Sequence, residues 1–189
     1  GNNGAGYGAI AGNIKGGLGS ASIYVPELDI TVGAIAAVNS AGSVLIPGTK
    51  AFYAWDMELE NEFGGILPPE NFDKAIIAVP KHSSLHENTT LAVVATDANL
   101  TKSETRRLAI ISQNGLSRAI RPSSTPLDGD IVFAISTGEK NIDDKVTMIG
   151  TLGAHAATGL GRSVARSVYE AETLGKISSY RDLQDNDEN

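Results

Sequence analysis

Residues 30–39 constrain the fold more than any other part of the chain, because they are almost all small and apolar. A strand of this composition is typical of a sheet that is covered on both faces. Residues 20–25 also have the pattern of a strand, and a Pro-Glu-Leu-Asp turn joins the two segments. The sequence therefore predicts a hairpin inside a layered domain.

Strand and helix patterns alternate along the rest of the chain. Further strands are predicted over residues 90–96 and 130–136. Thr101 and Glu104 form a capping box, and the helix that follows should turn Leu108, Ile110 and Ile111 toward a core. A long helix rich in glycine and alanine is predicted over residues 145–172. This order predicts an α/β layered protein.

The composition limits the classes of function. The chain has 189 residues, which is enough for one globular domain, and it contains no cysteine. Disulfides, thiolate catalysis and cysteine-based zinc sites are therefore excluded for this sequence. The net charge of -7 argues against a nucleic-acid partner, because phosphate binding needs a cationic surface.

The sequence was also searched for signals of cellular location, namely membrane helices and secretion signals. No apolar run approaches the ~18 residues that a membrane helix needs, and no amino-terminal signal pattern is visible. We therefore expect a cytoplasmic protein without a membrane partner. The chain begins with Gly1 rather than Met, in a segment with the pattern of a loop. We expect it to be part of a longer precursor.

The junction Asn88-Thr89 has two interpretations. A polar segment, residues 81–88, ends there and an apolar strand begins, and threonine is common at strand starts. If the bond before Thr89 breaks, however, Thr89 carries both a hydroxyl nucleophile and a free α-amine. The reference pKa of that amine, about 7.7–8.0, suits proton transfer near neutrality.

The motif Asp128-Gly129-Asp130 is also open to two interpretations. An Asp-Gly corner that leads into a strand is the more ordinary one. The alternative is a pair of carboxylates held beside a cationic amine.

Other motifs favour structural roles. Residues 4–9 nearly match the dinucleotide fingerprint, but they lack the strand before it and the helix after it. His82, His86 and His155 have no metal-like spacing, so we expect no metal and no cofactor.

The acidic residues between the predicted hairpin and the junction also favour a structural role. Glu58, Glu60 and Glu62 alternate along the chain, as on a solvated edge or loop.

Several segments together resemble one family, the self-cleaving N-terminal-nucleophile amide hydrolases. This family includes L-aminopeptidase/D-Ala-esterases, β-peptidyl aminopeptidases and nylon-oligomer hydrolases. The segments that carry the resemblance cover most of the chain, in order: residues 4–6, 15–22, 30–34, 38–43, 88–98, 115–122 and 128–134.

The resemblance implies an αββα sandwich and one hydrolase domain over residues 1–189. It also implies that the precursor cuts itself between Asn88 and Thr89, giving fragments 1–88 and 89–189 that stay associated. The Asn-Thr junction and the Asp-Gly-Asp motif are similar to those of the nylon-oligomer hydrolase branch. A Gly-Ser junction would be similar to the aminopeptidase branch.

The resemblance also implies roles for individual residues. Thr89 would be the nucleophile, and Asp128 and Asp130 would orient its amine. Asn39 would donate a hydrogen bond to the developing oxyanion, and Lys15 would position or polarise groups around Thr89.

The expected substrate is a small amide, with 6-aminohexanoate (nylon-6) oligomers as the leading hypothesis. Hydrolysis of amino-terminal peptide or β-peptide bonds is the alternative within the family. A non-catalytic scaffold that retains the fold is the alternative from another class. The resemblance and the small-residue helix also favour a homo-oligomer of the two associated fragments.

Overall fold

A computed structural model describes residues 1–72, 88–126 and 128–185. The strands in these ranges are β1 (Ile10–Ala11), β2 (Ile14–Lys15), β3 (Gly17–Val25), β4 (Ile30–Asn39), β5 (Thr89–Ala98) and β6 (Ile131–Lys140). The α-helices are α1 (Lys102–Ser112), α2 (Asn114–Ala119), α3 (Lys145–Tyr169) and α4 (Tyr180–Asp185). The predicted strands and long helix are confirmed, although their ends differ by several residues and α2 was not predicted.

The main sheet contains four strands in the order β3-β4-β5-β6. The pairs β3/β4 and β4/β5 are antiparallel, whereas β5 and β6 are parallel. A parallel pair needs a crossover connection, which α1 and α2 provide here. The first residues of β5 and the residues just before β6 therefore lie at the same end of the sheet.

Helices cover one face of the sheet. Helix α3 packs across β3 and β4, and α1 packs on both α3 and β6. The core between these layers buries Val32, Val94, Leu108 and Leu160. Strand β3 and helix α3 are in close contact. A Cβ on Gly19 of β3 would collide with the carbonyl of Ser163, a small residue of α3. The predicted α/β class is confirmed.

The opposite face of the sheet carries apolar side chains that this part of the chain leaves exposed. Ile35, Leu91 and Phe133 are 42%, 48% and 54% exposed. We call this surface, which also includes Thr89 and Asn39, the open face. The described residues therefore cover only one face of residues 30–39, the face on which α3 packs. The second sheet of an αββα sandwich would cover the open face.

The capping box at the start of α1 is confirmed. The Thr101 Oγ1 accepts a hydrogen bond from Glu104 N at 3.4 Å, and the Glu104 carboxylate accepts one from Thr101 N at 2.7 Å. Leu108 is fully buried, but Ile110 is 47% exposed, so its predicted core position is wrong. Residues two apart on a helix point about 200° apart, and Ile110 therefore cannot share the face of Leu108.

The acidic loop before the junction is less solvated than its sequence predicts. Glu62 forms a bidentate ion pair with Arg162 of α3, in which Arg162 Nη2 lies 3.0 Å from Glu62 Oε2. Glu58 accepts a hydrogen bond from Phe63 N at 2.7 Å, whereas Glu60 is exposed. The predicted loop is confirmed, but the carboxylates of Glu62 and Glu58 are paired rather than solvated. Because the Arg162 side chain is only 8% exposed, its charge needs a partner.

We predict that Glu62→Ala lowers the free energy of unfolding by about 3 kcal/mol, because it leaves the Arg162 guanidinium buried without its carboxylate. The matched control is Glu60→Ala, which should change stability by less than about 0.5 kcal/mol because Glu60 is exposed. Urea denaturation followed by circular dichroism measures both. Equal effects of the two substitutions would contradict the role given to the ion pair.

Candidate active site

The strand register brings the predicted site residues together. Asn39, the last residue of β4, lies directly opposite Thr89, the first residue of β5. Side chains alternate along a strand, so Thr89 and Asn39 both point to the open face. A parallel bridge between Asn88 and Asp128 continues the β5/β6 pairing beyond the strand ends. The sheet thus places Asp128 beside the Asn88-Thr89 junction.

The carbonyl oxygen of Asn88 accepts two hydrogen bonds. Thr89 Oγ1 donates one at 2.6 Å, and the backbone N–H of Gly129 donates the other at 3.0 Å. Two donors on one oxygen polarise the carbonyl, and the Gly129 N–H would stabilise negative charge there once the hydroxyl attacks. The hydroxyl that could attack this carbonyl is therefore already next to it in the uncut chain.

Gly129 fits the junction because it has no side chain. A Cβ at this position would lie 2.8 Å from Thr89 Oγ1, and Cβ atoms in proteins do not approach other heavy atoms so closely. Its N–H can therefore approach the Asn88 carbonyl without displacing the Thr89 hydroxyl. The glycine between the two aspartates is thus part of the junction geometry.

The Asp128 carboxylate fixes two neighbouring segments. Its Oδ1 accepts a hydrogen bond from Ala41 N at 2.9 Å, and its Oδ2 accepts one from Thr125 Oγ1 at 2.8 Å. Ala41 follows β4 by two residues, so this contact holds the end of β4 close to the junction. The carboxylate still has acceptor capacity, since each oxygen has two lone pairs.

The Asp130 carboxylate contacts the residue that follows Thr89. Its Oδ1 accepts a hydrogen bond from Thr90 N at 2.8 Å, and its Oδ2 accepts one from Ser124 N at 2.9 Å. Thr90 is the residue after Thr89, so Asp130 is anchored next to the predicted nucleophile. The motif leads into β6, as the ordinary interpretation expects, and its carboxylates accept hydrogen bonds from Ala41 N and Thr90 N close to the junction. Their position beside a cationic amine stays a prediction.

The side-chain amide of Asn39 has a fixed orientation. Its Oδ1 accepts a hydrogen bond from Ile10 N at 2.9 Å. A backbone N–H can only donate, so the atom facing Ile10 is the oxygen and Nδ2 is on the other side of the amide. Asn39 therefore presents a donor group away from Ile10, in the row of the open face that contains Thr89.

Lys15 is buried, with only 1% of its surface exposed. Its Nζ donates hydrogen bonds to the carbonyl oxygens of Gly6 at 3.0 Å, Ala9 at 2.9 Å and Gly16 at 2.7 Å. An ammonium has three N–H donors, so these carbonyls use all of them. Burial lowers the pKa of the Lys15 ammonium below its ordinary value. Its charge thus acts on the glycine-rich loop, whereas the resemblance implied a role around Thr89.

A groove of about 300 Å³ lies beside Thr89 on the open face. Its lining residues are small or uncharged: Ala5, Gly8, Ala9, Ala37, Asn39, Thr89 and Leu91. Such a surface suits an uncharged aliphatic group, because a charged group would lose its hydration without gaining a partner.

The described residues contain no cluster of three or more histidine or acidic side chains that could hold a metal ion. His155 lies in α3, while His82 and His86 fall outside the described residues. Within the same ranges, no helix is both long and apolar enough to cross a membrane.

Two contributions to the site were not predicted, and both come from the backbone. They are the N–H of Gly129 on the Asn88 carbonyl and the N–H of Ile10 on the Asn39 amide. Backbone donors have no side chain that marks them in a sequence. The glycine between two aspartates was the one available signal for the first of them.

The chain was compared with known proteins and solved structures. The profile of peptidase family S58 matches residues 1–180. An uncharacterized aminopeptidase of Mycobacterium tuberculosis is 37% identical over 193 residues, covering 95% of this chain and 55% of that protein. An uncharacterized aminopeptidase of Mycobacterium leprae is 40% identical over 187 residues, covering 94% of this chain and 51% of that protein. The chain thus spans about half the length of these relatives.

Two solved structures share the fold. The L-aminopeptidase D-Ala-esterase/amidase from Ochrobactrum anthropi, described as a new variant of the Ntn hydrolase fold, matches with a TM-score of 0.66 and 21% identity, covering 98% of this chain and 51% of that chain. A Burkholderia sp. β-aminopeptidase matches with a TM-score of 0.63 and 21% identity, covering 95% and 51%. At this identity the likeness shows the fold alone. The likeness gives the chain an Ntn-hydrolase fold. The profile match over residues 1–180 shows that the chain belongs to peptidase family S58.

Proposed function

We propose that this chain belongs to a self-cleaving amide hydrolase in which a cut between Asn88 and Thr89 makes Thr89 the nucleophile. One observation carries the proposal: the Asn88 carbonyl oxygen lies 2.6 Å from Thr89 Oγ1 and 3.0 Å from Gly129 N. The family match supports hydrolysis of peptide-type bonds. The fold of the aminopeptidase structures supports the same chemistry.

Self-cleavage follows from this geometry in two steps. Thr89 Oγ1 attacks the carbonyl carbon of Asn88 while the Gly129 N–H stabilises the oxyanion. The bond to the Thr89 nitrogen then breaks, and the proton released by the Thr89 hydroxyl passes to that nitrogen, which becomes a free amine. Water hydrolyses the resulting ester and leaves a carboxylate on Asn88 and a hydroxyl on Thr89.

Substrate hydrolysis uses the same atoms with a new base. The free amine of Thr89 takes the proton from its own hydroxyl as Oγ1 attacks a substrate amide. Asn39 donates a hydrogen bond from Nδ2 to the oxyanion, and Asp128 and Asp130 orient the ammonium. The substrate C–N bond breaks, and the leaving amine takes the proton that the Thr89 ammonium holds. Water then releases the acyl group from Thr89 as a carboxylic acid.

The sheet can keep fragments 1–88 and 89–189 together after the cut. Strand β4 belongs to the first fragment and β5 to the second, and they pair from Val32/Thr96 to Asn39/Thr89. Their backbone hydrogen bonds and the shared core do not require an intact bond at residue 88. Assembly into homo-oligomers and a cytoplasmic location remain predictions.

The first candidate substrate is a peptide or amide with a small, uncharged amino-terminal residue. Relatives and structural neighbours named aminopeptidases support this class. The groove beside Thr89 supports the limit to uncharged groups, since no charged side chain lines it.

Linear 6-aminohexanoate oligomers are the second candidate. The uncharged groove beside Thr89 could also hold a polymethylene chain. The Asn88-Thr89 junction and the Asp-Gly-Asp motif, which resemble the nylon-oligomer hydrolase branch, favour it as well.

Thr89→Ala should yield an intact chain without turnover, because it removes the only oxygen placed to attack Asn88 in the described site. Thr89→Ser keeps the hydroxyl and should still be cut. The matched control is Thr31→Ala, an exposed threonine on the same face. Denaturing mass spectrometry and amide hydrolysis by the full chain measure the outcome. Unchanged turnover by Thr89→Ala would contradict the proposal, and an uncut, inactive wild type would favour the scaffold alternative.

Gly129→Ala should slow self-cleavage by about 10²-fold or more, because the new Cβ disturbs the Thr89 hydroxyl and the oxyanion donor. The matched control is Gly150→Ala at an exposed position of α3, where a Cβ meets nothing within 4 Å. Cleavage is followed by gel densitometry during refolding. Equal cleavage rates in the two variants would rule out a role for Gly129 at the junction.

The substrate classes are separated with amino-acid p-nitroanilides and linear 6-aminohexanoate oligomers. We expect kcat/KM for alanine and leucine anilides to exceed that for glutamate and lysine anilides by about 10-fold or more, because an unpaired buried charge is costly. Release of 6-aminohexanoate would support the second candidate. Preference for charged anilides would contradict the limit to uncharged groups.

A further inference from the structure

A single peptide unit, between Ala9 and Ile10, connects Lys15 to Asn39. Its carbonyl oxygen, on Ala9, accepts hydrogen bonds from Lys15 Nζ at 2.9 Å and from Gly16 N at 2.9 Å. Its N–H, on Ile10, donates to Asn39 Oδ1 at 2.9 Å. The buried ammonium and the Asn39 amide thus lie on opposite sides of one planar group.

The peptide bond transmits charge between these two sides. Resonance links the carbonyl oxygen to the nitrogen, so a cation on the oxygen makes the N–H a stronger donor. Hydrogen bonds with a charged partner are roughly twice as strong as neutral ones. Lys15 therefore strengthens the contact between Ile10 and Asn39 without touching Asn39.

The contact decides which way the Asn39 amide faces. If the amide turned over, its NH₂ group would meet the Ile10 N–H, and two donors would face each other at a part-buried position. The stronger the Ile10 donor, the larger the cost of that wrong orientation. Nδ2 is thereby kept on the side of the amide that faces away from Ile10.

We propose that Lys15 is a positioning residue that acts through the Ala9–Ile10 peptide to hold the Asn39 oxyanion donor in its productive orientation. This inference rests on the proposed function, in which Asn39 stabilises the oxyanion formed at Thr89. It gives the buried ammonium a role that needs no contact with substrate.

The alternative is that Lys15 only stabilises the conformation of the glycine-rich loop. Its hydrogen bonds to Gly6 and Gly16 stabilise that loop in either case. A residue that only stabilises the loop would affect folding and substrate binding whether or not Asn39 is present. A residue that acts through Asn39 should lose its effect on kcat once Asn39 is gone.

A double-mutant cycle on the full chain separates these possibilities. Lys15→Met removes the charge at similar length, Asn39→Ala removes the oxyanion donor, and kcat is normalised to the fraction cut at residue 88. We expect Asn39→Ala to lower kcat by ~10²–10³-fold. Lys15→Met should lower it by about 10- to 100-fold in the wild type but by less than about 2-fold in Asn39→Ala.

Lys15→Arg keeps the charge and should retain more of kcat than Lys15→Met. Equal losses of kcat from Lys15→Met with and without Asn39 would overturn the proposal. If Lys15→Met does not fold, Lys15→Gln takes its place in the cycle, because it removes the charge but keeps N–H donors for the loop carbonyls. Coupling to Asn39 would then support the proposal, and equal losses with and without Asn39 would overturn it.

Failure of the proposed function gives a different result. A wild-type chain that is uncut at residue 88 and inactive would reject Thr89 as the nucleophile, whatever the substitution of Lys15 does. A cut and active wild type with additive effects in the cycle would reject only the role of Lys15.

Discussion

The register between β4, β5 and β6 is the constraint on which the rest of the site depends. It places Asn39 opposite Thr89 and brings Asp128 beside Asn88. Because side chains alternate across a sheet, a slip of one residue would turn Thr89 toward the helices. The register is specified by burial, since the other face of β5 packs Ala92 and Val94 into the core. The same apolar contacts that stabilise the fold thus set the geometry of the junction.

Backbone groups, held by buried charges and close packing, complete the site. The Gly129 N–H approaches the Asn88 carbonyl because glycine leaves room for the Thr89 hydroxyl. The Lys15 ammonium costs desolvation, as the lowered pKa of this lysine shows, but it organises three carbonyls of the glycine-rich loop. Donors fixed in this way need little reorganisation when charge develops in a reaction.

Much of the fold could be predicted from the sequence, because strand patterns and the Thr101–Glu104 capping box are local signals. Ile110 and Glu62 were misplaced because their environment depends on which helix face and which arginine lie next to them. The side chains around Thr89 could be proposed from a resemblance, and the register brings them together. The N–H of Gly129 could not be proposed, since a backbone donor acts through three-dimensional position alone.

In the proposed mechanism, Thr89 carries the acyl group during turnover. Quenching the working enzyme with acid and mapping the peptides by mass spectrometry would detect this group. We expect a peptide that begins at Thr89, with the mass of the substrate acyl group on the Thr89 hydroxyl oxygen. An active enzyme whose bond between Asn88 and Thr89 stays intact, or whose acyl group is on another residue, would contradict the proposed mechanism.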